Sequence, residues 1–397
     1  MFTLDDGQRL ADRLIDLRHA LHREPELGLD TPLTQAKVLT ALDGLPLEIK
    51  TGNALTSVTA VLRGGRPGPA VLLRGDMDAL PLREESEIEY ASRVPGRMHA
   101  CGHDLHTAAL AGAAHLLAGR RDELAGDVVF MFQPGEEGQG GARIMIDEGV
   151  LDAAGERVVA AYAMHVASAG FPRGVIATRA GAILSACDAA TVTVTGKGGH
   201  GSMPHMAADP IPAMCEMVTA LQTMVTRSID IFDPAVISVG SIHAGSAGNV
   251  IPGSGQFNAT IRSYSAATHK AIREGFVRVV RGIAAAHGVE AEVDYREQYP
   301  AGTNDTAEAA FALEVASGLA GAERAIEMPR PLSASDDFAF VLERVPGAYV
   351  NVAAVPPGLD PAAAAINHSP KAIFDDGAVP LGAVLLAELA GRRLASA

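Results

Sequence analysis

Five segments of the chain carry side chains that could do chemistry. The densest is "MHACGHDLHTA", Met98–Ala108, with His99, Cys101, His103, Asp104 and His106. "RGDMDAL" holds Asp76 and Asp78, two apart, which on a strand places both on one side. "FQPGEEG" holds the adjacent Glu136 and Glu137, "AMHV" holds His165, and "INHSPK" holds His368. Each piece has an ordinary explanation. An aspartate pair before a loop is often a cap, adjacent glutamates are usually solvated, and a lone histidine is more often structural. Together they form a set of thiol, imidazole and carboxylate groups of metal-ligand type. The competing chemistry is a Cys101 nucleophile with His103 or His106 as its base. A cysteine hydrolase needs one base and one orienting group, which leaves Glu137, His165 and His368 without a task. The remaining histidines, His19, His22, His115, His243, His269 and His287, read as surface or structural.

Positioning these groups falls to an α/β framework. "SVTAVLRG", "AVLLRGDMDAL", "GDVVFMFQPGEEG" and "VVAAYAMHV" are apolar runs that end in Gly, Asp or a polar turn, as buried strands do. "DLHTAALAGAAHLLAGRRDEL" reads as a long helix with Asp104 as its N-cap, and "GGARIMIDEGV" as a short one. Alternation of strand and helix predicts a mostly parallel sheet covered by helices, with function at the carboxyl ends of its strands. From Ala186 the pattern changes. "CDAATVTVTG", "AVISVGSIHAG", "GQFNATIRSY" and "VEAEVDYREQY" alternate like half-buried strands, and two amphipathic helices lie among them. The order β-α-β-β-α-β predicts a ferredoxin-like domain inserted into the larger one. The expected boundaries are residues 1–185 and 298–397 for the α/β domain and 186–297 for the insert. "PAAAAI", 361–366, reads as loop.

The chain has 397 residues, too many for one ordinary core, so about two domains are expected. Its composition is globular, with 48% hydrophobic and 20% charged residues. A net charge of −15 argues against nucleic acid and anionic membrane surfaces as partners. The N-terminus reads as an amphipathic helix with mixed charges and not as a secretory signal. No apolar run approaches the ~20 residues of a membrane span. Three scattered cysteines make no disulfide framework, and a cytoplasmic location is expected.

A family resemblance covers nearly the whole chain. "RHALHREPELGLDT", "RGDMDALPLREE", "MHACGHDLHTAALAGAA", "FQPGEEGQGGARIMIDEG", "GKGGHGSMPH" with "DPI", "NVIP", "SDDFA" and "HSPKAIFDD" occur in this order. The combination resembles the metal-dependent amidohydrolase family of hippurate hydrolase, N-acyl-amino-acid amidohydrolase and the auxin-conjugate hydrolases. Aminoacylase and the glutamate-type zinc carboxypeptidases are more distant likenesses. The resemblance implies two divalent metal ions in the α/β domain and dimerisation through the inserted domain. It implies that Cys101 bridges the ions, that Glu137 and His368 complete one, and that His103 and His165 complete the other. Glu136 would be the catalytic base, and Asp78 matches an aspartate that orients a ligand. Distant relatives have a histidine ligand two residues before that aspartate. This chain has Asp76 there, and His103 would take over the role. Departures from the family pattern are Gly135 for Ala, Asp336 for Glu, and Asp375–Asp376 for Asp-Glu; none removes a ligand.

The donor set suits Zn²⁺ first, with Mn²⁺, Co²⁺ or Ni²⁺ as further options. The substrate implied is an N-acyl amino acid, hippurate-like or N-acetylated, cut at the amide. The resemblance points to His200 as the oxyanion donor, reaching the partner's metal site across a homodimer. Asn249 and Arg262 are implied to hold the substrate carboxylate; otherwise they are a turn asparagine and a surface strand arginine. His205 is a further substrate-binding candidate, unless it only shapes its loop. Two other classes stay open. A metallo-dipeptidase or aminopeptidase would need a group for the substrate's free amine. A non-catalytic metal- or peptide-binding protein would have no use for Glu136.

Overall fold

The apolar runs of the first half assemble into an eight-stranded sheet. Its spatial order is Leu47–Thr51, Val58–Leu62, Ala125–Gln133, Arg66–Asp76, Ala160–Ala167, Gly347–Ala353, Ile176–Thr178 and Ala325–Glu327. The central neighbours, Ala125–Gln133, Arg66–Asp76, Ala160–Ala167 and Gly347–Ala353, run parallel. Antiparallel pairs join Leu47–Thr51 to Val58–Leu62 and Val58–Leu62 to Ala125–Gln133. The computed structural model describes residues 2–396.

Helices cover this sheet because their sequences are small and apolar on most sides. His103–Ala118 is buried over nearly its whole length. It packs against Ala11–Arg23 and Ala378–Ala395. Gly112 permits the close approach: a Cβ there would lie 2.6 Å from Leu14 Cδ1 and 2.7 Å from Ala383 Cβ. Filling that space costs about 1–3 kcal/mol in overpacking. One core runs from Leu14 and Val71 through Leu110 and Phe130 to Val352 and Leu386.

The chain forms two compact units. One comprises residues up to Ile183, Thr303–Pro331 and the chain from Asp336; the other is Leu184–Gly302 with Leu332–Ser335. The second unit is therefore wider than residues 186–297 and takes in a short later segment. Its strands Ala186–Thr195, Val236–Ala244, Ser254–Ser263 and Glu290–Tyr299 form one antiparallel sheet. The spatial order is second, third, first, fourth, as in a ferredoxin-like unit. Helices Pro210–Ser228 and Ala266–His287 cover one face. Met217, Leu221 and Met224 from the first meet Ile272, Phe276 and Val280 from the second in a separate core. Asp209 and Ser265 cap them, accepting from Ile211 N and Thr268 N at 3.0 Å each.

Three local expectations need correction. The N-terminal segment is two helices, Leu4–Gln8 and Ala11–Arg23. Asp104 is no cap: Gly102 holds that position, and the Asp104 carboxylate is drawn to buried Arg18 and His22. The strand ends at Asp76, so its alternation does not carry on to Asp78. Asp76 turns to Arg74 and His106, whereas Asp78 turns to the Glu136–Glu137 turn. Residues 361–366 are turns and irregular chain, as read. No helix among the described residues is long and apolar enough to cross a membrane.

Candidate metal centre

Parallel neighbours open their carboxyl ends on one side of a sheet, and three of them deliver the site. After Arg66–Asp76 comes Asp78, after Ala125–Gln133 come Glu136 and Glu137, and near the end of Ala160–Ala167 sits His165. Gly102 separates Cys101 from His103 with φ +91°, and a Cβ there would lie 2.3 Å from Val166 Cγ2. Only glycine lets that loop lie so close to the strand carrying His165. His368 arrives from a late loop with φ +69°, its N–H bonded to Ala100 O at 2.8 Å.

The donor atoms converge. Cys101 Sγ lies 3.3 Å from both His165 Nε2 and His368 Nε2. His368 Nε2 lies 3.3 Å from Glu137 Oε1, and His103 Nε2 lies 4.0 Å from the same oxygen. Donor atoms lie within 4.8 Å of one another in each of three sets: Cys101, His103 and His165; Cys101, Glu137 and His368; and His103, Glu136 and Glu137.

The imidazoles are oriented from behind. His103 Nδ1–H donates to Asp78 O at 2.8 Å and His165 Nδ1–H to Val166 O at 2.9 Å. In that tautomer each ring turns Nε2 to the cluster. Burial opposes a charge on His103, but Asp76 and Cys101 outweigh it and raise its imidazole well above the usual range; a cation at Nε2 would take the place of that proton. His103 Nε2 is buried without a hydrogen-bond partner. Such an orphan costs about 1–3 kcal/mol, and a cation removes that cost. The donor set, the tautomers and the orphaned nitrogen fit a metal centre. Asp78 serves the site twice: its carbonyl anchors His103, and its carboxylate accepts Glu136 N at 2.9 Å and Glu137 N at 3.1 Å.

Electrostatics separate the roles further. Burial, Asp336, Glu137 and Asp337 together push the Glu136 carboxyl well above the usual range. Burial pushes the Cys101 thiol up to about 12. Nucleophilic cysteines have depressed values, so the thiol-nucleophile chemistry loses its main requirement. A cation beside the sulfur would reverse that shift. His106, the alternative base, has both nitrogens engaged: Nδ1 donates to Asp76 Oδ1 at 2.5 Å and Nε2 accepts Val166 N at 2.8 Å. His99 is buried and its imidazole is pushed down to about 3 by that burial.

Sequence reasoning passed over Arg74. Its buried guanidinium binds Asp76, Gln133, Asp336 and Asp337, and Asp337 also accepts Ala142 N at 2.8 Å. This pins both ends of the glutamate turn. The only signal was the charge itself, one arginine inside the apolar run "AVLLRGD".

His200, His205, Asn249 and Arg262 all belong to the second unit. His200 is exposed and pairs with Val250, next to Asn249, on two short strands. Ser202 N–H donates to His200 Nδ1 at 3.2 Å. His205 is exposed in the turn Pro204–Met206. Arg262 is half-buried and bonds Thr260 Oγ1 at 2.6 Å.

Comparison with known proteins gives a consistent outcome. A model of peptidase family M20/M25/M40 matches residues 72–392. The chain is 35% identical to thermostable carboxypeptidase 2 of Saccharolobus solfataricus, over 97% of this chain and 96% of that protein. It is 37% identical to N-acetylcysteine deacetylase of Bacillus subtilis, over 85% and 87%. Among solved structures it matches the YXEP protein of Bacillus subtilis, described as a dinuclear metal-binding peptidase. That match has a TM-score of 0.83 and 32% identity, covering 98% of this chain and 100% of the other.

Proposed function

The chain belongs to peptidase family M20/M25/M40, whose members hydrolyse amides, and from that premise we propose that it cuts the amide bond of N-acyl amino acids. The products are a carboxylic acid and a free amino acid. The observation that carries this reading is a cluster of five metal-type donors with one further buried carboxylate, Glu136, beside it. Cys101, Glu137 and His368 would hold one ion, and Cys101, His103 and His165 the other. Zn²⁺ is the metal the donor set favours, ahead of Mn²⁺, Co²⁺ or Ni²⁺. Bound there, two divalent ions supply Lewis acidity and lower the pKa of a water from ~15.7 toward ~7.

Glu136 takes the proton of the attacking water and passes it to the leaving nitrogen. Burial and the neighbouring carboxylates raise its affinity for a proton, and cations beside it would draw that affinity down so that it starts as the base. His200 is the proposed oxyanion donor. Because Ser202 N–H occupies Nδ1, the proton of the neutral ring sits on Nε2 and can be donated. Asn249 and Arg262 are proposed to hold the substrate carboxylate, and His205 to contact the substrate. The names of the relatives support a carboxylate site, since a carboxypeptidase and an N-acetylcysteine deacetylase both release an amino acid.

The geometry of the second unit favours a site completed by a second copy. The His200 loop is rooted at the end of the sheet where Thr195 meets Ser254. Arg262 lies eight residues along that strand, roughly 26 Å away at about 3.3 Å per residue. A homodimer lets His200 and Asn249 of one copy serve the other.

The carboxypeptidase relative keeps a peptidase reading alive. N-acetyl- and N-benzoyl-amino acids, N-blocked dipeptides and unblocked dipeptides should be compared on metal-loaded protein. Turnover of the blocked substrates, abolished by chelation and restored by Zn²⁺, Mn²⁺ or Co²⁺, is expected. Preference for unblocked dipeptides would mark a dipeptidase, and full activity in protein shown by elemental analysis to lack metal would end the metal reading.

A further inference from the structure

Asn367 precedes His368 and offers no donor to the cluster, yet its side chain touches the loops that do. Its Nδ2 donates to Cys101 O at 3.0 Å and to Val166 O at 2.9 Å. Its Oδ1 accepts Ser168 N at 3.0 Å and lies 3.0 Å from Ser168 Oγ. Both amide donors are used, and the oxygen is held by the Ser168 backbone N–H. Val166 O is the same carbonyl that receives Nδ1–H of His165 and fixes its tautomer. One amide thus ties together the loop of Cys101, the carbonyl behind His165, and the backbone next to His368. Ser168, Val166 and Cys101 lie 199, 201 and 266 residues from it in sequence.

The sulfur sits 3.3 Å from two imidazole nitrogens, one on the strand Ala160–Ala167 and one on the late loop. Metal–ligand distances tolerate only about ±0.2 Å. Backbone segments of separate origin hold such tolerances only when something outside the ligand set locks them together. We propose that Asn367 is the positioning residue of the metal centre, setting the Cys101 thiolate and the His165 imidazole for cation binding. This rests on reading the cluster as a metal centre, and deepens it by naming what sets the bridging sulfur.

The test uses full-length protein, stripped of metal and titrated with Co²⁺ against a competing chelator. The thiolate-to-cobalt charge-transfer band reports Cys101, and melting of the stripped protein reports the fold. Asn367→Asp keeps size and the acceptor for Ser168 but loses both donors. It should weaken Co²⁺ binding on the order of 10–100-fold and shift or weaken the thiolate band. Asn367→Leu, similar in volume, should do the same, and decides the matter if the aspartate variant folds poorly. Ser168→Ala leaves both Nδ2 contacts and should bind Co²⁺ like the parent. Binding within about threefold of the parent, with an unchanged band, overturns the proposal. So does a lowered melting temperature with the band intact, which would make Asn367 a general tie. A parent protein without a thiolate band overturns it together with the metal reading. A parent that binds Co²⁺ through Cys101 but cleaves no amide sinks only the substrate reading.

Discussion

Glu136 and Glu137 are neighbours in sequence, share one turn, and have opposite surroundings. Glu136 is buried among Asp336, Asp337 and Glu137, which push its carboxyl up. Burial also opposes ionisation of Glu137, but His368 and His103 outweigh it and hold that carboxyl below the usual range. The first is suited to carry a proton, the second to remain an anion facing a cation. Glu136→Gln should therefore keep its metal and lose turnover on the order of 10²–10⁴-fold, as expected for a lost general base. Glu137→Gln should lose metal, measured by elemental analysis after dialysis. Equal metal content in the two variants would mean the roles are wrongly divided.

The helix His103–Ala118 carries a candidate ligand at its first residue, so its anchorage matters to the site. Asp104 Oδ2 accepts from Arg18 Nε at 3.1 Å and His22 Nδ1 at 2.9 Å, and His22 Nε2 meets Glu84 Oε1 at 3.2 Å. Burial alone would lower the His22 imidazole, but Asp104 and Glu84 outweigh it and raise it to about 9. Breaking a buried charged pair leaves its partner uncompensated, so His22→Gln should cost about 3–5 kcal/mol at neutral pH. A histidine raised on folding contributes its full stabilisation below its unfolded value of about 6.5 and loses it as pH climbs through about 9. The gap in melting temperature between parent and His22→Gln should be largest near pH 6 and shrink toward pH 10. A gap that stays constant over that range would show that His22 is not charged in the folded protein.

For the whole molecule the question is how many copies one site needs. The candidate ligands and Glu136 lie in one unit, and His200, His205, Asn249 and Arg262 in the other. Under the proposed reading, one site takes Glu136 from one copy and His200 from the other. His200→Ala should lose roughly 10²–10³-fold in turnover, as for one oxyanion donor, with metal content unchanged. Mixed with inactive Glu136→Gln and allowed to exchange subunits, it should regain part of the activity. One site of the mixed dimer then holds an intact Glu136 and the other copy's His200. Exchange proven by mass spectrometry without recovered activity would confine His200 to its own subunit.

Periodicity determined the architecture, and residue type gathered the candidate donors at the strand ends; the family resemblance, not spacing, implied which of them are ligands. The alternation in "CDAATVTVTG" becomes a strand buried on one side, and the unbroken apolar run in "GDVVFMFQ" a strand buried almost throughout. Such patterns are legible because secondary structure answers to neighbours a few residues away. The segments holding Asp76 and Asp78, Cys101 and His103, Glu136 and Glu137, His165 and His368 stood out because cores seldom need such groups at strand ends. Tertiary structure decided which partner each polar group found. Asp104 reads as a cap until Arg18 and His22 arrive from 86 and 82 residues away. His103 and His106 look alike in "CGHDLH", and only the folded chain gives His106 both an Asp76 and a Val166 partner. Asn367 is a plain turn residue in "INHSPK", and Arg74 an oddity in a strand. Hydrogen bonds across such separations leave no periodic trace, because they depend on where the sheet brings loop ends together and not on the residues beside them.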